Sequence, residues 1–325
     1  DSALKIRVPN EEYQVKLTPG VSLLEGSCQK SPEVNDDGLH IKLRLKVDEY
    51  SASDSVIERL KVQEKYCFQC QSCRATLLKD VFKRVLPLPN GNWNTLVDDW
   101  CCHPDPFANK KLHPKQEDCL LGDTYILLTR DRSCDQSLTQ TPGHKTVGVL
   151  CKKCSAVLGE AVTTVIKFYI TEIVVKQSED EECAVTQQQF LERSLASRLF
   201  ELSSAQSIFR FSIQTPGGKS VIMLWLLNTD TLIASFSERV RSCDSLISAS
   251  DHHLDEHQSC PAVCAVKVLY LPCTQAKHQA VNAWQKDITV HPLALPESTC
   301  EEILQLLTAC TSTLPSSLRS MNSYQ

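Results

Sequence analysis

Cys67-Phe68-Gln69-Cys70-Gln71-Ser72-Cys73 and Cys151-Lys152-Lys153-Cys154 are the two stretches whose reading decides the fold. A Cys-x-x-Cys turn lets two thiolates converge on one tetrahedral ion, and two such turns complete its shell. The spacing therefore predicts one structural zinc ion held by Cys70, Cys73, Cys151 and Cys154. Residues 74–150, 77 of them, lie between the turns, whereas paired turns are usually about 15–20 residues apart. Unpaired structural cysteines are the alternative reading. The closed loop carries Trp93-Asn94-Thr95-Leu96-Val97-Asp98-Asp99-Trp100-Cys101-Cys102-His103-Pro104-Asp105-Pro106-Phe107. Its prolines exclude a regular strand or long helix, and loops bearing such residues are usually anchored at a site or an interface.

Composition narrows the function classes. The chain has 325 residues, enough for one large or two ordinary domains, and a net charge of −5, so no overall basic field points to direct nucleic-acid binding. The longest apolar run, Val221 to Leu227, is strand-sized and far below the ~20 residues that span a bilayer. Seventeen cysteines in 325 residues amount to about 5%, below the ~8–10% of short disulfide scaffolds. The count is odd, no Asn-x-Ser/Thr site occurs, and no signal-peptide pattern is read at the amino terminus. These features lead us to expect an intracellular protein, cytoplasmic with the nucleus as a second location, and no membrane partner.

Away from the cysteine turns the pattern is mostly period two. Leu4–Val8 and Tyr13–Leu17 read as strands, and Leu39–Val47 alternates strictly, apolar on one face and basic on the other. Thr76–Leu86, Tyr125–Leu128, Val147–Leu150, Glu160–Lys176, Ile208–Gln214, Lys219–Leu227 and Cys264–Leu271 continue it, with Pro216-Gly217-Gly218 as a hairpin turn. Helical spacing appears at Gln187–Ser203 and Glu297–Cys310. The acidic loop Glu179–Glu182 is taken as the boundary between a β-rich zinc-binding domain, 1–176, and a second domain, 177–325. The expected fold class is α+β, predominantly antiparallel β, with helices in the carboxy-terminal half.

Near the end lies Leu295-Pro296-Glu297-Ser298-Thr299-Cys300-Glu301-Glu302-Ile303-Leu304-Gln305-Leu306. Leu295, Pro296, Ser298, Thr299, Cys300, Leu304 and Leu306 resemble the catalytic-cysteine region of HECT-type ubiquitin ligases. In those enzymes the cysteine accepts ubiquitin as a thioester from a ubiquitin-conjugating enzyme and passes it to a lysine. Such chemistry needs an exposed thiol with a lowered pKa. Ser298 or Thr299 could cap a helix and place Cys300 in its first turn. Glu301-Glu302 replaces the Phe-Asn pair of the pattern and opposes thiolate formation, and no counterpart of the large amino-terminal lobe is found. The bland alternative is a semi-buried helical cysteine.

The order of Cys-x-x-Cys, Trp-Cys-Cys-His-Pro-Asp-Pro-Phe, Cys-x-x-Cys and a terminal HECT-like cysteine resembles a family of ubiquitin-conjugating-enzyme-binding proteins with a HECT-like domain. Phe168-Tyr169 and Leu314-Pro315-Ser316-Ser317-Leu318-Arg319 share the likeness. It implies a ubiquitin-protein ligase with catalytic Cys300, recruiting a conjugating enzyme through about Lys176 to Ser197. The resemblance implies a second partner, the metallo-β-lactamase-type endonuclease that cuts pre-messenger RNA before polyadenylation. Cys102 would enter its two-zinc site, with Trp93, Trp100, Cys101, His103, Pro104 and Phe107 making partner contacts. A thiolate there would displace the nucleophilic water. A second internal zinc site at Cys101, Cys102, His103 and Cys119 is the alternative. His253-Leu254-Asp255-Glu256-His257 matches the order of inverted zinc peptidases, but its polar surroundings supply no apolar helix face. A ligase and a non-catalytic inhibitor or assembly chaperone of the endonuclease thus both remain open.

Overall fold

The computed structural model describes residues 3–8, 11–27, 29–30, 41–47, 60–88, 114–130, 134–141, 147–162, 164–177, 185–234, 236, 258–274 and 278–320. Contacts divide the chain into two units, one of residues 1–51, 228–267 and 315–318, the other of 52–227, 268–314 and 319–325. The division expected at 176/177 falls inside the second unit. Bonds cross it there: Arg198 donates to Asp123 at 2.6 Å, and the Thr124 hydroxyl donates to the Ala294 carbonyl at 2.6 Å.

In the first unit, Glu11–Lys16 is the middle strand of three, antiparallel to Ala3–Val8 and parallel to Gln258–Pro261. Leu39–Val47 was expected as one strand, but its described part is two. Ile41–Lys42 pairs with Gln29–Lys30, and Leu45–Val47 pairs with Val21–Leu23. The break falls at Arg44, whose carbonyl accepts from the Leu24 N–H and whose own N–H donates to Ser27 Oγ. Leu43 is half-buried and Arg44, Leu45 and Lys46 are exposed, so these described side chains bury no continuous face.

The second unit holds most of the core. A three-stranded sheet orders Ile173–Lys176, Lys65–Cys70 and Thr76–Val81. A seven-stranded sheet orders Leu138–Thr141, Val147–Cys151, Val157–Val162, Val165–Tyr169, Tyr125–Thr129, Asp118–Leu121 and Arg84–Pro87. All its pairings but the last are antiparallel. Tyr125–Thr129 alternates, burying Ile126 and Leu128, whereas Val165–Tyr169 is buried on both faces, as its near-continuous apolar run requires. Phe68 and Phe82, edge to face at 5.9 Å, join Tyr66, Leu77, Ile126, Leu158, Ile166 and Phe168 in one cluster. Each such side chain contributes about 1.5–3 kcal/mol by leaving water.

Helices α1 (Cys134–Ser137), α2 (Gln187–Gln206), α3 (His278–Lys286) and α4 (Glu297–Thr313) complete the described elements, with a 3-10 turn at Ser316–Leu318. α2 opens on a reciprocal cap: the Gln189 N–H donates to Thr186 Oγ1 and the Thr186 N–H to Gln189 Oε1. A four-stranded sheet orders Val263–Pro272, Ser220–Ile233, Arg210–Gln214 and Val290–Ala294. The expected hairpin turn closes where the Thr215 N–H meets the Lys219 carbonyl, with Gly218 at φ +83°. α4 packs on α2 and on Arg210–Gln214, while Trp284 of α3 packs with Met223, Leu271 and Val290. The fold is therefore α+β and mainly antiparallel. Among the described residues no helix is long and apolar enough to cross a membrane.

Candidate functional site

The two cysteine turns are copies of one backbone path. After Cys70, the Cys70 N–H donates to the Ala75 carbonyl at 2.8 Å and the Arg74 N–H to the Cys70 carbonyl at 2.9 Å. After Cys151, the Cys151 N–H donates to the Ala156 carbonyl at 2.9 Å and the Ser155 N–H to the Cys151 carbonyl at 2.8 Å. Arg74 and Ser155 occupy the same place in each turn, with φ of 57° and 61°. That left-handed step reverses the chain just past the second cysteine and leaves both sulfurs on one side. Each hairpin also carries a register shift before its turn, at Phe68/Gln69 and at Val149/Leu150.

The turns bring four sulfurs together from two different sheets. Cys70 Sγ lies 3.6 Å from Cys154 Sγ, Cys73 Sγ lies 3.7 Å from Cys151 Sγ, and all four fall within 4.8 Å of one another. A tetrahedral ion with metal–sulfur bonds of about 2.3 Å sets its sulfurs about 3.8 Å apart, whereas a disulfide needs about 2 Å. The donor set fits a four-thiolate metal centre, and none of these cysteines is in a disulfide. Burial pushes the Cys70 thiol up to about 12 and raises Cys154. At Cys73 burial is outweighed by the Ala75 N–H and the neighbouring thiols, which bring it down. A dication reverses the penalty at the raised thiols, because it holds sulfur as thiolate. Cys67, the first cysteine of the run, stays out: it is buried in its strand, 3.8 Å from Thr76 Oγ1. Cys119, considered for a second site, is fully buried in the core, and burial pushes its thiol up to about 12.

Cys300 sits on the inner face of α4 with no exposed surface. Its thiol donates to the carbonyls of Leu295 and Gln214, both at 3.6 Å. Burial, followed by the Glu297 and Glu301 charges, pushes it up to about 12. The exposed, readily ionised thiol expected of an acceptor cysteine is not what this conformation presents. Pro296 begins the helix without a side-chain cap, so neither Ser298 nor Thr299 serves as one. Thr299 is buried and donates instead to Glu172 Oε1 at 2.6 Å. Burial raises the Glu172 carboxyl above its ordinary range.

One network has no counterpart in the sequence reading. Asp123 accepts from Arg198 at 2.6 Å through Oδ1 and meets His291 Nε2 at 2.9 Å through Oδ2, while Arg198 also donates to Glu201 at 2.7 Å. All four side chains are largely enclosed. The segment expected to meet a conjugating enzyme includes Lys176, Gln177 and the first half of α2, where Gln187, Gln188, Gln189 and Arg193 are exposed. Residues 178–184 lie outside the described residues, as do Trp93, Trp100, Cys101, Cys102, His103, Pro104, Phe107 and the His253–His257 motif.

A family model described as HECT-like ubiquitin-conjugating enzyme (E2)-binding matches residues 1–325. An E3 ubiquitin-protein ligase of Mus musculus is 41% identical over 328 residues, covering 100% of this chain and 87% of that protein. The Homo sapiens protein of the same name is 38% identical over 345 residues, covering 100% and 88%. An uncharacterized protein of Saccharomyces cerevisiae is 30% identical over 112 residues, 32% of this chain. No solved structure is found to match.

Proposed function

This chain belongs to the HECT-like ubiquitin-conjugating enzyme (E2)-binding family, and from that premise we propose that it is a ubiquitin-protein ligase. It binds a conjugating enzyme charged with ubiquitin and delivers the ubiquitin to substrate lysines. The observation that carries this reading is the family match along the whole chain, supported by relatives named as ligases over their near-full length. The four-cysteine centre holds zinc, which suits four thiolates in a tetrahedron and needs no open coordination position. Its part is structural: it pins the two sheets that flank it.

The finer step runs through Cys300. Its sulfur, having given up a proton, attacks the carbonyl carbon of ubiquitin's carboxy-terminal thioester. A new carbon–sulfur bond forms, the bond to the conjugating enzyme's sulfur breaks, and that sulfur leaves as thiolate and takes a proton. A lysine amine then displaces Cys300 in the same way. Because Cys300 is enclosed, the first turn of α4 must lift for the attack, breaking the contacts to Leu295 and Gln214. Incubation with a charged conjugating enzyme under non-reducing conditions is expected to give a reducible ubiquitin adduct that Cys300→Ala abolishes. Burial pushes the closed Cys300 thiol up to about 12, and an unperturbed cysteine titrates at about 8.5. The sulfur is therefore mainly protonated at pH 7 whether α4 is closed or lifted, and adduct formation should rise with pH through neutrality. Undiminished transfer to lysine by Cys300→Ala would mean that ubiquitin passes straight from the conjugating enzyme.

A second reading rests on Trp100-Cys101-Cys102-His103-Pro104. Cys102 binds zinc in the active site of a metallo-β-lactamase-type pre-messenger-RNA endonuclease and blocks it, stiffened by Pro104 and Pro106. Cys102→Ala is expected to weaken that complex roughly tenfold or more, about 1.4 kcal/mol or more, in a calorimetric titration. Equal affinity of the two forms removes this role.

A further inference from the structure

We propose that Glu172 and Thr299 form a latch, set by the metal-binding turn at Cys70–Cys73, that keeps the first turn of α4 closed over Cys300. This rests on the reading of Cys300 as the ubiquitin acceptor; Glu172 and Thr299 are positioning residues for it. The path is continuous. Cys70 pairs with Ile173 across the strand ladder, and the next residue, Gln71, donates its N–H to the Glu172 carbonyl at 3.0 Å. The Glu172 N–H in turn donates to the Tyr169 carbonyl at 3.0 Å, so its backbone is fixed from both sides. Its carboxyl Oε1 then accepts the Thr171 hydroxyl at 2.9 Å and the Thr299 hydroxyl at 2.6 Å. Cys300 is the residue after Thr299.

Both ends of this path need outside support. α4 begins at Pro296 with no side-chain cap, and a carboxylate placed at a helix amino terminus favours the unpaired N–H groups and the dipole there. The first turn has its own acid in Glu297 but no side-chain cap, and Glu172 adds a tie to that turn through Thr299. At the other end, Gln71 is buried with its Nε2 unpartnered among the described residues. A buried donor without an acceptor is unfavourable, so that turn keeps its shape through the thiolates on either side of it. When the turn relaxes, the Glu172 backbone loses the Gln71 N–H, the carboxyl leaves Thr299, and the end of α4 frays.

The test uses the zinc-loaded full chain and reads N-ethylmaleimide labelling of Cys300 by mass spectrometry of its peptide, with core Cys119 as the reporter of general loosening. Thr299→Val and Glu172→Ala should label Cys300 about tenfold faster, the effect of losing one charge-assisted hydrogen bond. Thr299→Ser should stay near the unmodified protein, and Cys119 should stay slow throughout. Linkage is reciprocal, so the first two variants should also hold zinc at least about fivefold more weakly in competition with a colorimetric chelator. Unchanged Cys300 labelling, equal acceleration at Cys119, or Thr299→Ser behaving like Thr299→Val overturns the latch. Unchanged zinc affinity overturns its link to the cysteine turn. Faster labelling with no ubiquitin adduct at Cys300 would leave the latch standing and remove the acceptor reading instead.

Discussion

Stripping the metal with a strong chelator, or replacing Cys151 by serine, is expected to unfold the second unit at temperatures where the loaded protein is intact. Cys70 and Cys151 are 0% and 1% exposed and belong to the same cluster as Phe68, Leu77, Ile126 and Phe168, so the four-sulfur site lies at the edge of the largest core among the described residues. A four-thiolate zinc site contributes about 10–16 kcal/mol of apparent binding energy, and a domain's whole stability is about 5–15 kcal/mol. Only the folded chain gathers the four sulfurs, so most of that binding energy is folding energy. Circular dichroism should show the melting temperature falling by about 20 °C or more, at roughly 2–4 °C per kcal/mol for a unit of this size. Cys67→Ser, at the cysteine outside the cluster, should shift it far less. Superimposable melts with and without metal would remove the ion from the account of this fold.

Asp123→Ala is expected to destabilise the second unit by about 3–5 kcal/mol, because it leaves charge enclosed without its partner. Arg198 and His291 both reach Asp123, and Arg198 Nε is already buried without an acceptor among the described residues. The substitution also removes the ionic tie among three elements, the turn before Tyr125–Thr129, α2 and strand Val290–Ala294, and leaves the Thr124–Ala294 hydrogen bond as the link between the first and the last. Burial alone would raise the Asp123 carboxyl, but the hydrogen bond to His291 and the His291 and Arg198 charges outweigh it and hold the group below its ordinary range. A carboxyl depressed in the folded state stabilises at pH values above its unfolded pKa, about 3.9, and that contribution is lost as pH falls through the lower folded value. Urea midpoints should therefore separate the protein from Asp123→Asn widely at pH 7 and much less in strong acid. A gap that does not change with pH would assign the loss to packing.

The elements that were legible from sequence are those whose signal is local. α2 announces itself through the helical spacing of Phe190, Leu191, Leu195, Leu199 and Leu202, and the Thr215–Lys219 hairpin through Pro216-Gly217-Gly218. The four metal-site cysteines follow from two three-residue spacings, and both turns read Cys-x-x-Cys-x-Ala, the shared alanine marking the shared path. Cys300 was read from a motif, which says nothing about the side of the helix it lies on. The spacing of Cys300, Ile303 and Leu307 does, since positions i, i+3 and i+7 share one face and all three are buried. α3 escaped because nine residues are too few to establish a period. The Asp123 network could not be read at all: its partners stand 75 and 168 residues away, and only the assembled sheets bring them near.

The twin turns have a consequence for how the chain is made. A ribosome adding about 5–20 residues per second produces the second pair of thiols roughly 4–16 s after the first. For that interval Cys70 and Cys73 lack the other half of their shell, and are open to oxidation and able to seize an ion that Cys151 and Cys154 have not yet come to share. The chain is therefore most open to oxidation while the second turn is still unmade, before the four sulfurs can meet.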